Sequence, residues 1–448
     1  MEFMKQAAVS NGILENIFKL SEKKTNVKTE IIAGVTTFVT LAYIIFVNPN
    51  ILADAGIPKE AAIASTIWAT ALTTMLMSVW ANFPIAVAPG MGLNAFFAYY
   101  VVGVLKLPWQ VALGGVFISG VVFLLLTFGG VRQAIIKAVP MNLKSAIGVG
   151  IGLFIAFIGL KGAGIIVADK ATFVSLGHLT KGEPLLACIG LIITVALMYR
   201  NVKGSILIGI IATTVLGMIF GMVAVPKGIG DIVSLSFPSM GPTFLQLDIR
   251  GALEYGLVSI IFTFTIVELF DNMGTLIGLT RKAKLMNDKG EIENLDRALT
   301  TDAIGTMCSA LFGTSTVTSY IESAAGIAEG GKTGLTGLTV AVLFVVSLAF
   351  APLVGIVPAF ATAPALILVG ALMMMEVVHV KFADLTEGFP AFMTIIMMPL
   401  TSSIANGFAF GFISYTLLKV LTGKSKEVSL IMWLISLGFA INFYMRLH

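Results

Sequence analysis

The chain has 448 residues, 57% of them hydrophobic and only 12% charged, with a net charge of +4 and a mean hydropathy of +0.97. An ordinary soluble domain carries about 25% charged residues, so a water-soluble core is excluded, and apolar runs long enough to cross a ~30 Å hydrocarbon layer recur along the whole length. The basic residues sit between these runs, where a membrane explains them better than nucleic acid does.

Residues 1–28 are polar and basic (Lys5, Lys19, Lys23, Lys24, Lys28) and lack an apolar h-region, so they read as a cytoplasmic segment rather than a cleaved signal peptide. Candidate spans follow at 30–49, 61–82, 85–104, 109–129, 141–161, 184–200, 204–223, 252–280, 298–313, 315–331, 335–353, 360–379, 388–402 and 404–421, fourteen in all. A C-terminal stretch, 423–448, holds one more apolar segment, Leu430 to Tyr444, readable as an interfacial helix or a fifteenth span. With the N-terminus inside, the cytoplasmic loops hold Arg132, Lys137 and Lys144; Arg200 and Lys203; Arg281, Lys282, Lys284, Lys289 and Arg297; Lys332; Lys381; and Lys424 with Lys426. The external loops hold fewer: Lys59, Lys106, Lys161, Lys170, Lys181, Lys227 and Arg250. This bias fits the positive-inside rule and a multi-pass protein of the plasma membrane. Cys188 and Cys308 lie in apolar context and read as core thiols, and the scattered histidines at 178, 379 and 448 offer no metal cluster. Neither cofactor nor metal is expected.

The chain also reads as doubled. A long connection, 225–250, separates 29–224 from 251–422. Seven spans is an odd number, so two seven-span halves insert with opposite orientation, an arrangement typical of secondary transporters. The third span of each half is broken. In "NFPIAVAPGMGLNAFFAYYVV", Pro84 and Pro89-Gly90 leave Ile85 to Ala88 extended, with a helix from about Gly92. In "GTSTVTSYIESAAGIAEGGKTG", Thr314 to Tyr320 is β-branched and extended, and a short helix starts near Glu322. Extended backbone at that depth survives only where protein or a water-filled cavity satisfies its polar groups. Paired broken spans point to a substrate site.

The eighth span carries "VELFDNMGTLIG" with two acids, Glu268 and Asp271. At 1.5 Å per residue they lie ~20 Å and ~15 Å from the cytoplasmic end at Arg281, near the midplane. The i, i+3 spacing puts them on one helical face with Phe264 and Thr275. An acid at that depth costs about 2.5–3.5 kcal/mol on the lenient insertion scale, so it should face a cavity and act there. Glu322 is the third buried acid, favoured as an anion by the start of its short helix. Asn94 lies one turn into the matching helix of the first half. Structural readings stand beside these: Glu268 and Asp271 bonded to a neighbouring helix, Glu322 as a cap, Asn94 as a packing amide. Asp302 and Glu376, near span ends, read as interfacial or capping residues. Gly148, Gly150 and Gly152 read as close-packing glycines rather than a phosphate loop. No Walker motif, nucleophile elbow or HExxH occurs, so an enzyme is not expected.

Four stretches together, "TEIIAGVTTFVTLAYIIFVNP", "APGMGLNAFFAYYVV", "ELFDNMGTLIGL" and "TSTVTSYIESAAGIAEGGKTGLTGL", resemble the AzgA-like purine permeases, a branch of the nucleobase–cation symporters related in fold to the uracil permease. The resemblance covers about residues 27–422. It implies an all-α polytopic membrane protein of fourteen spans in two inverted repeats. It divides them into a core domain (29–131 and 251–353) and a gate domain (132–224 and 354–422). It implies purine uptake driven by a proton gradient, with Na⁺ the alternative ion; an elevator-like movement and a homodimer through the gate domain are further expectations. Carried over by motif, Asp271 and Glu268 supply the substrate carboxylate and its neighbour one turn earlier, Glu322 a second base-binding acid, and Asn94 an amide. Ser323 stands where the wider superfamily has Asn, and Gly326 comes one residue late. The candidate binding set is Glu268, Asp271, Glu322, Asn94, Ser323, Phe264, Thr275, Tyr320 and Thr318, with Asp271 and Glu268 as proton carriers. Phe264 or Tyr320 is expected to stack on the base. An ionised Glu322 suits the N1–H of guanine or hypoxanthine better than adenine. The alternative is an anion carrier of the sulfate-permease type on the same fold, which buried acids disfavour.

Overall fold

A computed structural model describes residues 12–127, 131–254, 260–285 and 292–447. Lys5, Lys289 and His448, named above, lie outside them, as do residues 255–259 of the eighth span. The first half runs α1 (Ile13–Phe18), α2 (Val27–Leu41), α3 (Ile44–Asp54), α4 (Lys59–Leu76), β1 (Val87–Pro89), α5 (Met91–Ala95), α6 (Trp109–Thr127), α7 (Val131–Ala138), α8 (Met141–Gly162), β2 (Ile166–Asp169), β3 (Phe173–Leu176), α9 (Gly182–Tyr199) and α10 (Ser205–Ile219). The second runs α11 (Ile249–Glu254), α12 (Phe262–Lys282), α13 (Leu295–Phe312), β4 (Val317–Ser319), α14 (Ser323–Ala328), α15 (Gly334–Ser347), α16 (Ala351–Ile356), α17 (Ala359–Met374), α18 (Leu385–Leu400), α19 (Ile404–Leu421) and α20 (Leu430–Leu447).

Among the described residues, eight helical segments are long and apolar enough to cross a membrane, and four shorter apolar helices accompany them. The protein is a polytopic helical membrane protein. Local chemistry sets the boundaries. Asn26 starts α2 by accepting from the Thr29 N–H at 3.0 Å, and Asp384 starts α18 by accepting from the Thr386 N–H at 2.9 Å. Glu30, fully buried, accepts from the Lys332 and Thr333 N–H groups at 3.0 and 3.2 Å, satisfying the entry to α15. α5 continues as wider π-helical turns over Phe96–Val104, a form that favours functional regions.

The two broken segments meet. β1 and β4 pair antiparallel, with Val87 opposite Ser319, Ala88 opposite Thr318 and Pro89 opposite Val317. Helices α2, α4, α6, α13 and α15 pack around this crossing, α2 and α4 on α15, α6 and α4 on α13. On another side α8 packs on α17 and α18, α18 on α19, and α9 on α10 and α17. Gly152 lets α8 approach α17 so closely that an added Cβ would lie 2.7 Å from the Gly370 carbonyl, and Gly150 faces Met398 of α18 in the same way. Gly148 faces open space instead.

Two features differ from the sequence expectation. The loop around Lys170 contains the hairpin β2–β3, pairing Ile166 with Leu176 and Asp169 with Phe173. Its turn forms because Asp169 Oδ1 accepts from the Thr172 and Ala171 N–H groups at 2.9 and 2.8 Å, bonds that hold the Asp169 carboxyl below its usual range. The second concerns α7. Arg132 was counted as a cytoplasmic loop charge, yet it is fully buried, its guanidinium 3.5 Å above the Phe123 ring. The amphipathic "VRQAIIKA" folds as a helix and turns Arg132 inward, which the loop reading did not allow for.

Candidate functional site

At the strand crossing the peptide groups satisfy one another. Gly90 N–H donates to the Thr316 carbonyl at 3.0 Å and Tyr320 N–H to the Ala86 carbonyl at 2.9 Å. Side chains finish the work. The Ala86 N–H donates to Ser323 Oγ at 3.0 Å, the Val87 N–H to Thr74 Oγ1 at 3.0 Å, and the Ser319 N–H to Asn272 Oδ1 at 3.1 Å. Extended backbone inside the protein thereby keeps its bonds. Ser323 and Asn272 are thus engaged with backbone, and Tyr320 donates its hydroxyl to the Pro89 carbonyl.

Asp271 and Glu322 lie beside this crossing, on α12 and at the N-terminal boundary of α14. Both are only partly buried, as is Thr275, one turn after Asp271. The two carboxylates act on each other electrostatically. A Cβ placed on Gly90 would lie 3.0 Å from Thr318 Oγ1 and 3.7 Å from Asp271 Oδ2, so glycine keeps the strand end narrow against the acid. Glu322 makes no side-chain cap to α14. Instead Glu322 Oε1 accepts from the Tyr43 hydroxyl at 2.6 Å, a partner at the junction of α2 and α3 that sequence reading missed. The signal available was an aromatic hydroxyl at a helix break six residues before Pro49.

Glu268 is placed differently. It is fully buried, and its Oε1 accepts from the Thr306 hydroxyl at 2.6 Å, while Oε2 has no hydrogen-bond partner among the described residues. One turn from Thr306 on α13 stands Asp302, also fully buried, 3.8 Å from the Arg132 guanidinium. The expectation that Asp302 is an interfacial or capping residue is corrected here: it faces the interior, opposite a cation that the sequence had placed in a loop. Glu376, read in the same way, is exposed in the turn after α17.

Asn94 is fully buried and donates to Asn48 Oδ1. Asn48 Nδ2 in turn donates to Thr66 at 2.7 Å and Thr314 at 3.0 Å. The amide therefore sits in a polar chain that ties α5 to α3, α4 and the entry of β4. Phe264 is fully buried with its ring edge-on to Phe96, centroids 5.0 Å apart, and Thr318 is buried in β4. The structure thus brings Asp271, Glu322, Thr318 and Tyr320 together at the crossing, while Glu268, Asn94, Ser323 and Phe264 are enclosed and Thr275 lies one helical turn from Asp271.

Comparison with known proteins agrees with this architecture. The profile described as "Permease family" (Xan_ur_permease) matches residues 28–410. Adenine permease AdeP of Escherichia coli (strain K12) is 44% identical over 431 residues, 96% of this chain and 96% of the relative. Guanine/hypoxanthine permease PbuO of Bacillus subtilis (strain 168) is 43% identical over 443 residues, 96% of this chain and 99% of the relative. Among solved structures, the transmembrane domain of the cyanobacterial bicarbonate transporter BicA superposes with a TM-score of 0.66 at 16% identity, over 84% of this chain and 96% of that one, a likeness of fold alone. These relatives are named permeases rather than enzymes. On the match over residues 28–410 and the near-full-length identities, the chain belongs to the Permease family.

Proposed function

We propose that this protein is a secondary active transporter that imports purine nucleobases by proton symport. One observation carries the reading: two partly accessible carboxylates, Asp271 and Glu322, reach the same strand crossing from two separate spans. Oxopurines present ring N–H donors beside a carbonyl. A carboxylate accepts from the N–H groups in charge-assisted bonds. Glu322 already accepts one hydrogen bond, from the Tyr43 hydroxyl. An anionic Glu322 accepts from N1–H of hypoxanthine or guanine, whereas N1 of adenine is itself an acceptor. The full-length similarity to adenine and guanine/hypoxanthine permeases supports purines as the substrate class. The BicA-like fold alone would also suit an anion carrier, but two carboxylates at the crossing repel anions.

Glu268 and Asp271 are the proton carriers in this reading. Acids held together away from water do not all stay ionised, so one takes up a proton with the base and gives it to water on the other side. The helices around α13 and α15 form the core domain, and those around α8, α17 and α18 the gate domain. The core slides against the gate with the base bound at a fixed site. The N-terminus is cytoplasmic in a plasma membrane. An impermeant thiol reagent on intact cells should then label a cysteine at Lys170 and spare one at Lys284, and the reverse pattern contradicts the orientation.

The function is tested with radiolabelled hypoxanthine and purified protein in liposomes. An inward proton gradient should drive accumulation that a protonophore collapses. Guanine and hypoxanthine should compete best, adenine less, and uracil, inosine and sulfate hardly at all. Uptake that never exceeds equilibration, or that sulfate blocks, overturns the reading.

A further inference from the structure

The Arg132–Asp302 pair has no part in holding a base, yet both side chains are fully buried. A pair so enclosed is poor evidence of stability, because removing two charges from water can cost more than their attraction returns. Ionisable groups retained inside a membrane protein are functional candidates with a partner to name. Arg132 is also incompletely satisfied. Its Nη1 donates to Thr127 and to the Leu299 carbonyl, both at 3.1 Å. Nε and Nη2 have no hydrogen-bond partner among the described residues, while the Asn272 side chain lies against the Asp302 carboxyl. Thr306 stands one turn beyond Asp302 on the same helix and holds Glu268. Arg132 and Asp302 both act electrostatically on Glu268, as does Asp271 on its own helix. A chain of polar groups therefore runs from the base site, through Glu268, Thr306 and Asp302, to α7. That helix connects α6, packed on α13, with α8, packed on α17 and α18.

We propose that Arg132 and Asp302 are a positioning pair that sets the charge of Glu268, so that proton release is tied to the helix connecting the two packed sets. The inference rests on the proton-symport reading. Among the described residues, the charged groups that act electrostatically on Glu268 are Arg132 from α7, Asp302 from α13 and Asp271 from α12. With Glu268 ionised, Arg132, Asp302 and Glu268 carry one net negative charge; with Glu268 protonated they carry none. The guanidinium favours the ionised carboxylate. The Glu268 O–H bond breaks, the proton passes to water on the cytoplasmic side, and the electron pair stays on the carboxylate. Without Arg132 that release is impaired while Asp271 and Glu322 remain to hold the base.

The test compares wild type, Arg132→Gln, Asp302→Asn and the double variant as full-length protein in liposomes. Hypoxanthine counterflow, which needs no proton release, reports folding and binding; accumulation under an imposed pH gradient reports coupling. Arg132→Gln should keep counterflow, lose about tenfold in accumulation, the factor carried by one unit of proton affinity, and move the pH profile of uptake toward alkaline values. The double variant should regain most of the accumulation, because the cation and its counter-charge leave together. Arg132→Gln that accumulates like wild type overturns the proposal. So does a double variant that exchanges normally but accumulates no better than the single one. If Arg132→Gln does not fold, the double variant decides alone: a wild-type pH profile in a folded double variant supports the pair, and a displaced one refutes it. Wild-type protein that exchanges hypoxanthine but ignores the gradient defeats the symport reading instead, and so the two failures are distinguishable.

Discussion

The two broken spans share a backbone design and differ in chemistry. In each, a three-residue strand leads into a helix, and the strands β1 and β4 pair with each other. In the first half the residue at the turn is Gly90, and the polar side chain one turn on, Asn94, is enclosed in an amide–hydroxyl chain with Asn48, Thr66 and Thr314. In the second half the residue at the turn is Glu322, partly accessible and bonded to the Tyr43 hydroxyl. The first crossing strand thus supplies shape and the second supplies charge. The two segments share a geometry and differ in charge, and the proposed recognition rests on that difference.

The comparison is broken first by removing charge. Asp271→Asn takes away a carboxylate acceptor beside Gly90 in the state that receives the base. A hydrogen bond to a charged group contributes about 1.5–3 kcal/mol, so hypoxanthine affinity should fall roughly ten- to a hundredfold in equilibrium binding. An unchanged Kd would remove Asp271 from the site. Next is shape. Gly90→Val forces side-chain atoms against Thr318 and toward Asp271. Overpacking of this kind costs about 1–3 kcal/mol, and hypoxanthine binding should weaken by about tenfold in the same assay, with adenine and hypoxanthine affected alike. A Gly90→Val protein that binds normally would show that the strand end does not shape the pocket.

The smaller effects sharpen the contrast. Tyr43→Phe removes a neutral donor from Glu322, a bond worth about 1 kcal/mol net, or roughly fivefold in affinity. Competition binding should show hypoxanthine weakened relative to adenine, because Glu322 loses part of what keeps it anionic; a uniform loss for both bases would make Tyr43 a packing residue only. Asn94→Ala should act on stability instead. It leaves Asn48 Oδ1 without its donor, at about 1–3 kcal/mol, so the thermal midpoint should drop while hypoxanthine Kd stays within about twofold. A large Kd change with an unaltered midpoint would move Asn94 into contact with the base.

Much of this was legible in the sequence because membrane depth makes its constraints local. The proline-glycine break at Pro89-Gly90 and the Ser/Thr-rich, partly β-branched run from Thr314 to Tyr320 announced the two strands, and the i, i+3 spacing placed Glu268 and Asp271 on one helix face. Spacing along a helix could not tell that Asp271 stays accessible while Glu268 is sealed behind Thr306, since that depends on α13 packing from elsewhere in the chain. Arg132 and Asp302 were misplaced for the same reason. Each lies near a span end, where charge usually meets water, and only the tertiary pairing across 170 positions makes both internal. Tyr43 was overlooked because its partner Glu322 is 279 residues away.

The central claim is that an ionised Glu322, opposite Asp271, receives the donor edge of an oxopurine. Calorimetric titration of the purified chain with hypoxanthine and with adenine at neutral pH, for wild type and Glu322→Ala, tests it most directly. The account predicts that wild type binds hypoxanthine more tightly than adenine, and that Glu322→Ala loses hypoxanthine binding by about a hundredfold, the upper range for a charge-assisted bond. Adenine binding tighter than hypoxanthine in wild type, or hypoxanthine binding that survives Glu322→Ala unchanged, would contradict it.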